Sequence, residues 1–144
     1  MNYDSYQFLK IERADRILTV TLNRPEVKNA ANPRMHDELS RIFSDIARDE
    51  AVDVVVLTGA GNAFCAGGDL DWLVSLNGDP VATAASIDND RRIQNSLLDL
   101  EKPIIARVVG PAVGLGCSLA LFCDMVFATP EARFADPHVL VGLV

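Results

Sequence analysis

The chain has 144 residues, 49% hydrophobic and 23% charged, which suits one globular domain with enough apolar material for a core. The formal charge is −7, and the sequence shows no basic patch or stripe of the kind a nucleic-acid binder carries. That charge also argues against an anionic membrane surface as partner, but leaves room for a small anionic ligand held by local cations and helix N-termini.

Residues 8–12 alternate and residues 17–22, Ile-Leu-Thr-Val-Thr-Leu, are rich in β-branched side chains; both read as strands joined by a polar turn near Ala14-Asp15-Arg16. Asn23-Arg24-Pro25 ends the second strand, and a loop runs to Asn32. Asn32 then caps a helix that has Pro33 in its first turn. In that helix Met35, Leu39, Ile42, Phe43 and Ile46 form one apolar stripe. Residues 53–58 carry Val54-Val55-Val56-Leu57, a run suited to a strand buried on both faces. A loop rich in glycine and small residues spans 59–68, and Asp69 caps a short helix from Leu70 to about Leu76. Asn77-Gly78-Asp79-Pro80 breaks it before a second helix from Val81 to about Leu100. Residues 104–109 form another buried strand, 110–116 a second glycine turn, and 115–122 a buried helix. Short strands follow over 124–128 and 133–135. Strands alternating with helices indicate an α/β fold with largely parallel pairing.

Cys65, Cys117 and Cys123 are odd in number and form no C-x-x-C pair, so they read as free, buried thiols of a reducing compartment. The first six residues are polar, unlike a secretory signal, and no apolar run approaches the roughly 18 residues of a membrane span. The expected location is cytoplasmic. The chain stops on the apolar run Val139-Leu140-Val141-Gly142-Leu143-Val144, which reads either as a short strand or as a chain cut before its natural end; the second reading is preferred.

The glycine turns bear on chemistry. A dinucleotide-binding G-x-G-x-x-G fails at Phe64 after Gly59-Ala60-Gly61, and again at Leu119 after the Gly114/Gly116 pair. No phosphate-cradling G-x-x-x-x-G-K-[S/T] is present. His36 and His138 stand in no ligand spacing, so no metal is expected, and His36 reads as a solvated or helix-end residue. Two turns of similar build remain, Ala66-Gly67-Gly68-Asp69 and Gly114-Leu115-Gly116, each leading into a helix. Such turns offer unpaired backbone N–H groups backed by a helix dipole. Aimed at one point, they would form an oxyanion hole for a carbonyl that becomes an enolate. On spacing alone, glycines serving only tight turns and close packing are the better explanation of the pattern.

The chain resembles the crotonase (enoyl-CoA hydratase/isomerase) superfamily across essentially its whole length. Asn23-Arg24-Pro25 with Asn29-Ala30 is similar to that family's N-R-P-x-x-x-N-A segment, and Phe64-Cys65-Ala66-Gly67-Gly68-Asp69-Leu70 to its F-x-A-G-x-D-[L/I] loop. Lys102-Pro103-Ile104-Ile105-Ala106 and 110–117 are similar to K-P-x-I-A and G-x-A-x-G-x-G. Cys123-Asp124 and Phe134-Ala135-Asp136-Pro137 fall where the family has C-D and F-x-x-P-E. Six motifs in order at compatible spacing make a specific signature.

The resemblance implies a spiral of ββα units that binds an acyl-CoA thioester, with coenzyme A part of the substrate and no tightly bound cofactor. It implies that the N–H groups of Gly68 and Leu115 form the oxyanion hole; Leu115 replaces a common glycine, which preserves a backbone donor while narrowing the pocket. Ala66 and Leu70 match positions contacting the adenine end of coenzyme A, and Asp69, Lys28 and Arg24 lie in the coenzyme-binding segments. The family's hydratases hold and activate water with two glutamates, and here those positions are Ser118 and His138. Histidine takes or gives a proton near neutral pH, so His138 is the expected general acid/base, with Ser118 as its hydrogen-bonding partner. Alternatives are isomerisation, decarboxylation, thioester hydrolysis, or coenzyme binding without turnover. Family members are roughly twice as long, so residues 1–144 are expected to be the N-terminal core before the C-terminal helices, forming a homotrimer or dimer of trimers when full length.

Overall fold

The computed structural model describes residues 1–141; residues 142–144, the end of the apolar run, lie outside the described residues. Strand β1 (Leu9–Ala14) and strand β2 (Ile17–Leu22) form an antiparallel hairpin, in register from Leu9 opposite Leu22 to Ala14 opposite Ile17. Its two-residue turn carries Asp15 in the left-handed region, φ 53°. Leu18, Val20 and Leu22 face the core from alternate positions of β2, the period of two expected of a strand.

Helix α1 (Pro33–Arg48) begins as its sequence dictates: the Asn32 side chain accepts from the Met35 amide at 2.8 Å. Met35, Leu39, Ile42, Phe43 and Ile46 are all fully buried against the sheet. Strands β3 (Val54–Gly59), β4 (Ile104–Val108) and β6 (Met125–Ala128) extend the hairpin into one sheet of order β1-β2-β3-β4-β6, parallel from β2 onward. The expectation that β3 and β4 are buried on both faces needs correction. Val54, Val56 and Ile105 are only half-buried, and Arg107 is exposed. Helices cover one face of the sheet here, so the apolar runs alternate in burial despite their uniform composition.

Between β3 and β4 lie helix α2 (Leu70–Leu76), which buries no residue, and helix α3 (Pro80–Leu98), which contributes Ile93 and Leu97 to the core. Strand β5 (Pro111–Val113), helix α4 (Leu115–Leu121) and strand β7 (Arg133–Ala135) follow, and a 3-10 turn spans His138–Val141. Among the described residues no helix is long and apolar enough to cross a membrane.

A second, smaller layer positions the functional residues. β5 pairs in parallel with β7, with Ala112 opposite Phe134, and on its other side Ala112 bridges in parallel to Cys65. Ala31 bridges in turn to Gly68. The chain therefore winds as a spiral. After each parallel strand of the large sheet it visits the small layer before returning: β2 then Ala31, β3 then Cys65, β4 then β5, β6 then β7.

All three cysteines are free and buried, as expected. Burial pushes the Cys65 thiol up to about 11, against a bond with Gly67 that lowers it. Burial and then the Asp124 charge raise Cys123 to about 12. Thiolate is the reactive species. At pH 8 the folded protein is expected to resist a thiol-specific disulfide reagent at Cys65 and Cys123, both reacting within minutes once denatured. Labelling followed by peptide mass mapping checks this.

Candidate active site

The small layer explains why the two glycine turns meet. Gly68 stands three residues after Cys65, and Leu115 three residues after Ala112. Because Cys65 and Ala112 are paired in parallel, both chains leave the layer at the same end and after the same run of residues. His138 follows Phe134, the third member of that row, by four residues. The three segments thus emerge at the carboxyl ends of parallel strands, the end at which open α/β sheets place their ligands.

The turns touch. A side chain on Gly67, which has φ 97°, would stand 3.1 Å from the Val113 carbonyl oxygen. One on Gly116 would stand 2.3 Å from the Cys65 carbonyl oxygen, a clash with main chain that nothing local relieves. These glycines serve close packing, and the packing is what sets the turns side by side. Gly68, Leu115 and His138 line one cavity with Ala66, Leu70 and Trp72. Among the described residues the amides of Gly68 and Leu115 donate to no protein acceptor, as the first position of a helix allows for Leu115.

His138 is held from one side. Asp136 Oδ1 bonds its Nδ1 and also accepts from its backbone amide at 3.3 Å. Its Nε2 lies 3.6 Å from where a side chain on Gly114 would begin. The expected hydrogen bond between Ser118 and His138 is not formed among the described residues; Asp136 takes the ring nitrogen, being only two residues away. Ser118 instead lines an adjoining cavity, which it shares with Asp90, Leu115 and His138.

The other expected residues divide. Lys28 is exposed and its carbonyl accepts from the Ala66 amide at 3.0 Å; among the described residues its ammonium makes no hydrogen bond or ion pair. Arg24 points inward: Nη1 donates to the Ala30 carbonyl at 2.6 Å and to Asp69 Oδ2 at 3.1 Å, with the guanidinium 5.6 Å from the Phe8 ring. Asp69 Oδ1 accepts from the Asp71 amide at 3.2 Å and caps α2. Arg24 and Asp69 brace the turn and do not line the cavity.

Sequence reasoning missed two groups. Asn29 is fully buried with φ 58°. Its Nδ2 donates to the carbonyls of Ala60 and Ala63 at 2.9 Å each and of Phe64 at 3.3 Å, while Oδ1 accepts from the Arg24 amide at 2.9 Å. It staples the loop before α1 to the loop that carries the first glycine turn. Asn29→Ala leaves these buried partners unsatisfied and places alanine in a left-handed backbone, so a loss of about 3 kcal/mol in unfolding free energy is expected from urea titration.

The second group is His36, read from sequence as a solvated or helix-end residue; it does lie in the first turn of α1. It is 2% exposed and lines the cavity. Its Nε2 bonds Asp90 Oδ1 at 2.7 Å, and its ring lies 4.9 Å from that of Trp72, tilted 55°. It stands one residue off the apolar stripe of α1, on the flank that α2 and α3 cover, and no local pattern announces that cover. Among the described residues no group of three or more His, Cys, Asp or Glu is placed to hold a metal ion.

The family profile described as enoyl-CoA hydratase/isomerase matches residues 12–144. The chain is 36% identical over 137 residues to the 2,3-dehydroadipyl-CoA hydratase of Escherichia coli (strain K12), covering 94% of this chain and 52% of that protein. It is 38% identical over 133 residues to the 1,2-epoxyphenylacetyl-CoA isomerase of the same organism, covering 89% and 50%. The crystal structure of an enoyl-CoA hydratase/isomerase from Mycobacterium paratuberculosis superposes with a TM-score of 0.94 at 38% identity, covering 97% of this chain and 56% of that one. The chain spans about half the length of the curated relatives it matches. These likenesses bear out the crotonase-like spiral and the motif reading together: the chain belongs to the enoyl-CoA hydratase/isomerase family.

Proposed function

We propose that the full-length protein acts on an acyl-CoA thioester by stabilising its enolate. The observation that carries this reading is the pair of uncommitted amides, Gly68 and Leu115, on two turns that line one cavity with His138. The thioester oxygen accepts from both amides. When the proton at C2 leaves, the negative charge that develops on that oxygen meets donors already in place. His138 takes and returns the proton; with Asp136 on Nδ1, a neutral ring presents Nε2 as the base. Ala66 and Leu70 contact the adenine end of coenzyme A, and Lys28 lies free beside its phosphates. No tightly bound cofactor takes part.

The positions where the family's hydratases carry glutamates hold Ser118 and His138. This favours a second reading that uses the same oxyanion donors: isomerisation or decarboxylation through the enolate, or thioester hydrolysis through a tetrahedral oxyanion, in place of water addition. The test is common to both. Incubated in D2O with saturated acyl-CoAs, the full-length protein is expected to exchange C2 protons, read as a mass increase of the thioester. No exchange, no loss of carbon dioxide and no release of free coenzyme A with any acyl-CoA, together with tight coenzyme binding, would replace both readings with a binding protein. The proposal includes a cytoplasmic location and a homotrimer or dimer of trimers, checked by fractionation and by light scattering. Exposed apolar side chains on the outer strands, Phe127 and Phe134 among them, support assembly.

A further inference from the structure

The cavity has a polar end that the proposed chemistry does not use. Besides Gly68 and Leu115, the lining takes His36 from α1, Trp72 from α2, and Ser86 and Asp90 from α3. The rest of the lining is largely apolar: Ala66, Leu70, Leu73, Val113 and Leu115. A polar cluster in such a wall costs desolvation unless it is satisfied or has a ligand to satisfy it.

The cluster is half satisfied. Asp90 Oδ1 receives the His36 ring nitrogen at 2.7 Å. Among the described residues Asp90 Oδ2 accepts no hydrogen bond, and the Ser86 hydroxyl makes none. His36 is almost enclosed, its side chain 3% exposed, whereas Asp90 is 44% exposed and borders two cavities. Thus the histidine is the anchor and the carboxylate the presented group. A pair meant only to clasp α1 to α3 has no need to border a cavity, because Leu39, Ile42, Phe43, Ile93 and Leu97 already belong to one buried core.

The charge of this end limits what it takes. Asp90 is the one acidic side chain among the described lining residues, and no lysine or arginine joins it. An acyl group ending in a carboxylate would meet like charge with no cation to offset it. A plain alkyl end would leave Asp90 Oδ2 unpaired. A hydroxyl donates to the carboxylate and satisfies it.

Resting on the enolate reading above, we propose that Asp90, held by His36, selects acyl groups that carry a hydroxyl beyond the carbons that react, and disfavours those ending in a carboxylate. His36 is a positioning residue in this scheme. A site built to bond a hydroxyl discriminates strongly against the analogue that lacks it, because the site's own polar group is then stranded.

The experiment uses the full-length protein and the C2 exchange assay. The probes are matched straight-chain thioesters from butanoyl-CoA to octanoyl-CoA, each with a terminal methyl, hydroxyl or carboxylate. The expected result is a length at which the hydroxyl compound exceeds its methyl counterpart by about tenfold to a hundredfold in kcat/KM, with the carboxylate compound lowest. Asp90→Leu is expected to abolish the hydroxyl-to-methyl ratio. His36→Phe should lower that ratio, and His36→Gln, which keeps a donor toward Asp90, should partly restore it; a role confined to clasping helices would move the melting temperature and leave the ratio intact. Should the methyl series match or exceed the hydroxyl series at every length, this proposal fails and the enolate reading stands. Should no compound exchange, the enolate reading fails and takes the proposal with it. The wild-type comparison decides even where a variant does not fold.

Discussion

Replacing His138 by alanine is expected to lower kcat for C2 proton exchange by about a hundred- to ten-thousand-fold, the range of general acid–base catalysis. The affinity for coenzyme A should stay nearly constant, because the residues proposed to contact its adenine end lie on the other turn. Asp136→Asn should give a smaller loss: Asp136 bonds the histidine ring, but it is exposed, and an exposed pair is worth little. If His138→Ala retains full activity on a substrate that the parent turns over, the catalytic group lies elsewhere in the full-length chain.

Leu115→Pro tests the oxyanion assignment with one atom. Leu115 is the first residue of α4, and proline suits that position because its missing N–H would bond nothing within the helix. The exchange deletes one donor while the helix keeps its start. Loss of a single oxyanion donor typically costs about a hundred- to a thousandfold in kcat, and that loss is expected here. Leu115→Ala keeps the amide and should lie far closer to the parent, since only pocket width changes. Circular dichroism distinguishes a missing donor from a broken helix. Equal activities for the proline and alanine variants would dismiss Leu115 as a donor.

How much of this was legible follows from the length of each pattern. Helix α1 was plain, because five apolar residues at helical spacing behind an Asn-Pro start leave little choice, and all five are buried. The hairpin was equally plain. Strands β5 and β7 have three residues each, and Cys65 contributes a single bridge. Residues 133–135 read as a strand at the bounds β7 has, but three residues carry no measurable period, so the pairing that builds the small layer was not legible. Partners distant in sequence were hidden altogether. His36 meets Asp90 across 54 residues, and the fully buried Glu38 accepts from the Gln7, Phe8 and Leu9 amides about thirty residues away. Arg24, read as a coenzyme contact, satisfies Ala30 and Asp69 because the loop around it folds back.

The parallel bridge between Cys65 and Ala112 acts as a ruler. Two strands so paired lie about 4.8 Å apart, and each added residue advances a strand by about 3.3 Å. Equal counts of three residues from bridge to donor therefore keep Gly68 and Leu115 level. One residue inserted into either count would carry that donor past its partner by most of the distance separating the strands, whatever residue was added. The residue count from 65 to 68 and from 112 to 115, together with the glycines that let the turns touch, holds the donors side by side. At Gly78, between α2 and α3, a side chain would meet nothing within 4 Å, and only the backbone, at φ +84°, favours glycine.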